Sequence, residues 1–219
     1  MNGKIIVIEG VDGAGKGTQT EILVKKLEQE GKKVRKMSFP RYDTFFGKEV
    51  KAYLRGEFGT LEQIHPKLAA LFFELDRLEA TKEIKKHIKE GYYVICDRYF
   101  ISNHAHQGSK FKDREKRKDF INWLLELELK HLKLAKEDYV IFLDLPTQNT
   151  TEAVAKRGRE TDIHEKNEKY LESTRNVYLE LCKERKNCTI LNCMKGNERK
   201  TIEEVSADIW KVFKEKVLQ

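Results

Sequence analysis

The sequence predicts an α/β fold of three layers, with helices on both faces of a five-stranded parallel sheet. Three observations carry that prediction. Five short apolar runs are spaced along the 219 residues, long charged stretches with apolar residues at helical spacing separate them, and the first run leads straight into a glycine-rich turn. A strand buried on both faces reads as a short continuous apolar run. Regular alternation of such runs with helices gives parallel strands joined by crossovers, and ligands in such sheets bind beyond the carboxyl ends of the strands.

The strands are expected at "KIIVIE" (4–9), "KVRKMSF" (33–39), "YYVICD" (92–97), "YVIFLDL" (139–145) and "CTILNC" (188–193). Helices are expected near 16–30, 45–54, 66–90, 114–134, 148–157, 163–185 and 201–217. Pro66 suits a first helical turn, where its missing N–H has no partner to lose. Gly31 and Gly91 follow last turns rich in lysine and glutamate, as helix stops do. The segment "KRGRETDIHEK" (156–166) opens with arginines, a glycine and acids and lacks apolar periodicity, so it reads as a flap leading into a helix.

A chain of this length suits one domain, 1–219, with insertions. The hydrophobic share of 39% beside 36% charged residues describes a globule with a dense ionic surface. The net charge of +7 suits anionic ligands, but the lysines lie among glutamates on helix faces such as "EILVKKLEQEGKK" and decide no partner; nucleic acid is not expected. Cys96, Cys182, Cys188 and Cys193 form no CxxC pair and no zinc-finger spacing, so inert thiols in a reducing compartment are expected. No apolar stretch approaches membrane-spanning length and the N-terminus lacks signal-peptide architecture, which predicts a cytoplasmic protein.

Chemistry enters at "GVDGAGKGT", where Gly10, Gly15 and Lys16 give the spacing G-x-x-x-x-G-K between a strand and a helix. Backbone N–H groups of such a turn converge on phosphate oxygens, the helix N-terminus adds partial positive charge, and the lysine reaches the terminal phosphates. The fold is therefore of the P-loop NTPase type, and Gly10, Asp12, Gly13, Ala14, Gly15, Lys16, Gly17 and Thr18 are the expected phosphate-binding residues. Gly17 stands where the common pattern has a magnesium-binding hydroxyl. Either Thr18 takes over that contact, or Mg²⁺ is held by water, nucleotide phosphates and an aspartate. Asp12 is either a turn cap or an acceptor for a ligand hydroxyl.

The remaining motifs point to a second nucleotide rather than a switch. No NKxD-like guanine reader follows a strand, and no switch segment of the DxxG kind lies downstream. In "FPRYDTFFG", Arg41 lies just beyond a strand, where a guanidinium can clamp a phosphate. In "LAALFFELDRLEA", Phe72 and Arg77 lie near one helical face, although Phe72 can equally be core and Arg77 a salt-bridge partner of Asp76 or Glu74. In "VICDRYFISNHAHQG", Asp97, Arg98 and Tyr99 sit at the end of a strand, a costly place for charges without a task. His104 and His106 read as plain helix-face residues.

Taken in order, "GVDGAGKGTQ", "FPR", "LFFELDR", "CDRY", "SNHAHQG" and "RGRETDIHE" resemble the thymidylate kinase family over residues 1 to about 190. The "GKGT" ending departs from most members, which carry Ser or Thr after the lysine, and is closer to adenylate kinases. The resemblance implies ATP-dependent phosphorylation of dTMP with Mg²⁺, and a homodimer. It implies that Lys16 holds ATP phosphates, Asp12 meets the acceptor 3′-hydroxyl, Arg41 and Arg98 hold the acceptor phosphate, and Asp97 lies near the metal, with Thr18 the other candidate ligand. Phe72 would stack on thymine, Arg77 would contact its edge, and Ser102, Asn103 and Gln107 would read the base. Tyr99 would pack under the deoxyribose. Because loop position 14 is alanine, the catalytic arginine would come from the flap, as Arg159 or Arg157. Another nucleoside monophosphate kinase, such as one for dUMP or another pyrimidine, and a non-catalytic nucleotide-regulated binding protein remain the alternatives.

Overall fold

The fold is described from a computed structural model, which covers residues 3–147, 164 and 167–218. Five strands, β1 (Lys4–Gly10), β2 (Val34–Ser38), β3 (Tyr93–Asp97), β4 (Tyr139–Asp144) and β5 (Cys188–Asn192), form one parallel sheet in the order β2-β3-β1-β4-β5. The first strand is central, with Ile6 opposite Ile95 of β3 and Ile8 opposite Ile141 of β4. Its unbroken apolar run follows from that position. Ile5 and Val7 point into one buried cluster, while Ile6 and Ile8 point into another on the opposite face.

Helices α1 (Lys16–Gln29) and α7 (Ile202–Lys216) cover the second face, where Leu23, Leu27, Ile209 and Phe213 are buried. The first face is covered by α3 (Pro66–Lys89), α4 (Phe100–Gly108) and α6 (Glu168–Lys183), which contribute Ala80, Ile84, Phe100, Val177 and Tyr178. Helix α2 (Phe45–Leu54) packs on α3 through Val50 and Tyr53, and α5 (Arg114–Glu126) completes the set. This is the expected three-layer arrangement.

The punctuation also matches. Pro66 stands at the start of α3, and Gly31 and Gly91 adopt φ of 69° and 81° after α1 and α3. Thr201 and Glu204 form a capping box that starts α7.

Four features depart from the sequence reading. Helix α4 was not expected, because all nine of its residues are buried and no polar face marks its period. The helix expected over 114–134 ends at Glu126 and continues as a π-helical turn over Leu127–His131. A two-stranded hairpin, β6 (Met194–Lys195) and β7 (Glu198–Arg199), turns through Gly196 at φ 61°. Cys182 and Cys188 are joined by a disulfide between the end of α6 and the start of β5, with Cα atoms 5.3 Å apart, which corrects the expectation of four free thiols. The helix expected over 148–157 and most of the flap expected over 156–166 lie outside the described residues. Among the described residues no helix is long and apolar enough to cross a membrane.

Candidate active site

The carboxyl ends of β1 and β3 open onto one cavity of about 340 Å³, within the range of small-molecule sites. On its donor side the backbone leaves β1 at Gly10 and turns through Gly13 (φ 87°) and Gly15 (φ 94°) into α1. Left-handed φ at Gly15 costs no Cβ clash and turns the loop amides inward at a helix N-terminus. Lys16 is buried, with Nζ donating to the Val11 carbonyl at 2.9 Å and lying 3.8 Å from Asp12 Oδ1. Burial, and next the charge of Arg98, push its pKa down to about 8. Arg199 of the β6–β7 hairpin braces the same loop, its Nη2 donating to the Gly13 carbonyl at 2.9 Å.

Gly17 has a geometric explanation. A Cβ at this position would lie 3.3 Å from Asp97 Oδ2, closer than nine in ten such contacts. Glycine here lets the carboxylate at the end of β3 come up against the first turn of α1, beside Thr18 on the same cavity wall. An oxygen-rich corner of one carboxylate and one hydroxyl suits a hard cation whose other ligands are water and phosphate. No cluster of three or more metal-ligating side chains occurs among the described residues.

Arg98 follows Asp97 with φ 67°, in the left-handed region that a non-glycine residue occupies only when its surroundings hold it there. Its N–H donates to the Ile8 carbonyl at 3.1 Å, and its Nη2 donates to Asp12 Oδ1 at 2.6 Å. Burial alone would lower its pKa, but Asp12 first among the nearby charges keeps it well above the ordinary value. Lys16, Asp12 and Arg98 thus form a cation–anion–cation row across the cavity, ready to take anionic oxygens at either cation.

The acceptor side is built by α3 and α4. Arg77 is buried on the cavity wall with its guanidinium over the Phe39 and Tyr99 rings, 5.9 Å from each centroid. Asn103 and Gln107, one turn apart on α4, face the same space. Asn103 Oδ1 and both polar atoms of the Gln107 amide are buried with no protein partner. Unpaired buried amides are costly, and a polar ligand would satisfy them. Ser102 donates to Glu9 Oε2 at 2.7 Å and accepts from Tyr178 at 2.9 Å, so a buried carboxylate at the end of β1 holds it.

Three of the expected site residues lie elsewhere. Phe72 does not line the cavity; it stacks on Tyr53 (5.9 Å) and Phe58 (5.0 Å), and Phe73 lines the cavity instead. The spacing held this signal, because Phe73 and Arg77 are four apart and share a face, whereas Phe72 and Arg77 are five apart. Tyr99 is core: it is fully buried, stacked on Phe100 at 4.5 Å, and donates its hydroxyl to the Ala135 carbonyl at 2.8 Å. Arg41 is turned toward α3, with Nε donating to Asp76 Oδ1 at 2.9 Å and Nη2 to the Asp76 carbonyl at 2.7 Å, and does not line the cavity.

Phe39, Tyr42 and His164 line the cavity without an assignment from sequence, and His106, expected as a plain helix-face residue, is buried and lines it too. His106 and His164 stack 5.2 Å apart, and His164 shares a 3.1 Å hydrogen bond with the Tyr53 hydroxyl. Both are held neutral by burial, and next by Arg98 for His106 and Lys110 for His164, whose pKa falls to about 3. The four-residue spacing of Ser102 and His106 was the available signal for the first histidine; His164 reaches the site only through tertiary packing. Arg157 and Arg159 lie outside the described residues.

Comparison with known proteins gives one answer. The family model described as thymidylate kinase matches residues 8–209. The chain is 31% identical over 224 residues to a probable thymidylate kinase of Pyrococcus horikoshii, covering 100% of this chain and 99% of that one. It is 30% identical over 188 residues to a thymidylate kinase of Thermosipho melanesiensis, covering 85% of this chain and 88% of the other. The solved structure of thymidylate kinase from Candida albicans superposes with a TM-score of 0.78 at 26% identity, over 97% of this chain and 92% of that one. With a phosphate loop at one end of the cavity, unpaired base-sized polar contacts at the other and matches along nearly the whole length, the chain belongs to the thymidylate kinase family.

Proposed function

We infer that this chain transfers the γ-phosphoryl group of ATP to dTMP, giving dTDP and ADP for deoxynucleotide biosynthesis. One observation carries the reading beyond family membership. A single cavity joins the glycine loop and Lys16 to the buried Arg77, Asn103 and Gln107, with Asp97 and Arg98 between. Donor phosphates belong on the loop amides and Lys16, while the acceptor phosphate belongs on Arg98. Asp12 accepts the sugar 3′-hydroxyl, Phe73 gives the thymine ring an aromatic wall, and Arg77 with Asn103 and Gln107 reads its edge.

In the reaction an oxygen of the dTMP phosphate forms a bond to the γ-phosphorus as the bond to the bridging oxygen of ADP breaks. Little covalent work falls to the protein, and alignment with charge stabilisation supplies the rate. Arg98 gives up Asp12 as partner when the acceptor phosphate arrives, and its held left-handed backbone fixes where that phosphate sits. Asp97, with Thr18 as the neighbouring hydroxyl, would hold Mg²⁺, which would supply charge neutralisation at the donor phosphates. We assign the cation that would stabilise the transferred group to Arg159, with Arg157 as the second candidate. We read the chain as one domain, cytoplasmic, and homodimeric.

The test is a panel of nucleoside monophosphates, each incubated with ATP and Mg²⁺. dTMP is expected to be the preferred acceptor; preference for another monophosphate, or no ADP formation above background, would refute the reading.

A further inference from the structure

Behind the acceptor wall, on the side away from the cavity, lies a buried carboxyl that no chemical step uses. Glu74 of α3 is fully buried. Its Oε1 accepts from Asn103 Nδ2 at 2.6 Å and from Arg77 Nη1 at 3.2 Å. It therefore touches the two side chains that face the base from two different helices, without reaching the cavity itself.

The consequence lies in the Asn103 amide. An asparagine side chain offers a donor end and an acceptor end, and which one faces a ligand depends on its other contacts. Here Nδ2 is bound to Glu74 Oε1 and also to the Ala70 carbonyl at 3.1 Å. Reversing the amide would set its oxygen against that carbonyl, two acceptors with no proton between them. Oδ1 is thereby left as the buried, unpartnered end. The wall then presents guanidinium donors from Arg77 beside an acceptor from Asn103. That pattern complements the imide edge of thymine or uracil, where O4 accepts and N3–H donates, and it opposes the amidine edge of cytosine, where the exocyclic amine donates and N3 accepts.

We propose that Glu74 is a positioning residue that holds the Asn103 amide with its oxygen toward the acceptor base and so makes the site select 4-keto pyrimidines over cytosine. The proposal rests on the dTMP-kinase reading of the cavity. The other Glu74 oxygen is buried with no hydrogen-bond partner among the described residues. Burial first of all lifts the Glu74 carboxyl to about 8. A glutamine keeps one oxygen for Asn103 and Arg77 and places its N–H₂ where the second oxygen stands.

The experiment measures kcat and KM for dTMP and dCMP in wild type, Glu74→Gln and Glu74→Leu, with circular dichroism and a melting curve for each. Wild type is expected to prefer dTMP strongly, since sites built to hydrogen-bond a substrate group reject analogues lacking it. Glu74→Gln is expected to retain the dTMP:dCMP ratio of kcat/KM within about threefold, and Glu74→Leu to reduce it by about tenfold or more, chiefly through KM for dTMP. A merely structural role would lower both substrates together and leave the ratio in place; that result in a folded Glu74→Leu protein overturns the proposal. If the leucine protein does not fold, Glu74→Met is the second removal variant, and failure of both beside a folded Glu74→Gln assigns Glu74 to folding and overturns it as well. Wild type without preference for dTMP would instead overturn the reading of the cavity.

Discussion

Phe72 and Phe73 are adjacent, alike in chemistry and both half-buried, so their separation is a sharp test of the site. Phe73 lines the cavity on the same helical face as Arg77, whereas Phe72 stacks between Phe58 and Tyr53. Stacking of a base on an aromatic ring is worth about 1–3 kcal/mol per base. At about 1.4 kcal/mol per tenfold, Phe73→Ala should therefore raise KM for dTMP by roughly one to two orders of magnitude. Its effect on KM for ATP should be small, because the loop amides and Lys16 are untouched. Phe72→Ala removes two ring contacts but no cavity surface. Full burial of a phenylalanine sets the cost of truncation at about 3–5 kcal/mol; half of that for Phe72 corresponds to a fall in Tm of roughly 3–10 °C in a chain of this size. Steady-state kinetics with varied dTMP, beside thermal denaturation of both variants, decides the matter. A large rise in KM for Phe72→Ala with none for Phe73→Ala would refute the placement.

Further outcomes concern Lys16, Gly17 and Arg159. Lys16 is protonated below about pH 8 in the free enzyme, and donor phosphates would raise its pKa, so ATP binding should take up a proton at and above pH 8 and weaken as pH rises; titration calorimetry in buffers of different ionisation enthalpy measures the uptake, which should vanish in Lys16→Met. The same depressed pKa means that Lys16 costs the free protein stability at neutral pH, a cost removed as pH climbs from about 8 toward its unfolded value of 10.5. Gly17→Ala places a methyl group 3.3 Å from Asp97 Oδ2 and should raise the Mg²⁺ concentration for half-maximal rate several-fold, while an unchanged Mg²⁺ profile would show that Asp97 does not need that space. Arg159→Ala should lower kcat by about three orders of magnitude, as arginines facing a transferred phosphoryl group do, and a rate within tenfold of wild type would move the role to Arg157.

The phosphate loop was legible because every part of it is local. Strand, glycines, lysine and helix start lie within one short stretch, so spacing alone carries the geometry. Helix α4 was not legible for the opposite reason. A helix buried on every side has no polar stripe, and residues such as Ser102, Asn103, His104 and Gln107 look like surface until partners from β1, α3 and α6 enclose them. The disulfide was hidden similarly, since a six-residue separation between Cys182 and Cys188 gives no framework until α6 and β5 bring them together.

The order of the five sheet strands along the chain, the parallel sheet and the glycine-rich phosphate loop were determined by sequence alone, because period, punctuation and short-range spacing are properties of the chain. Which face each side chain of the acceptor site shows was decided only by tertiary structure. Phe73 rather than Phe72 meets the cavity, Tyr99 is taken into the core, Arg41 is bound by Asp76, and Asn103 donates to Glu74. Each of those outcomes depends on a partner from a different element, and pairings between elements are absent from any local pattern.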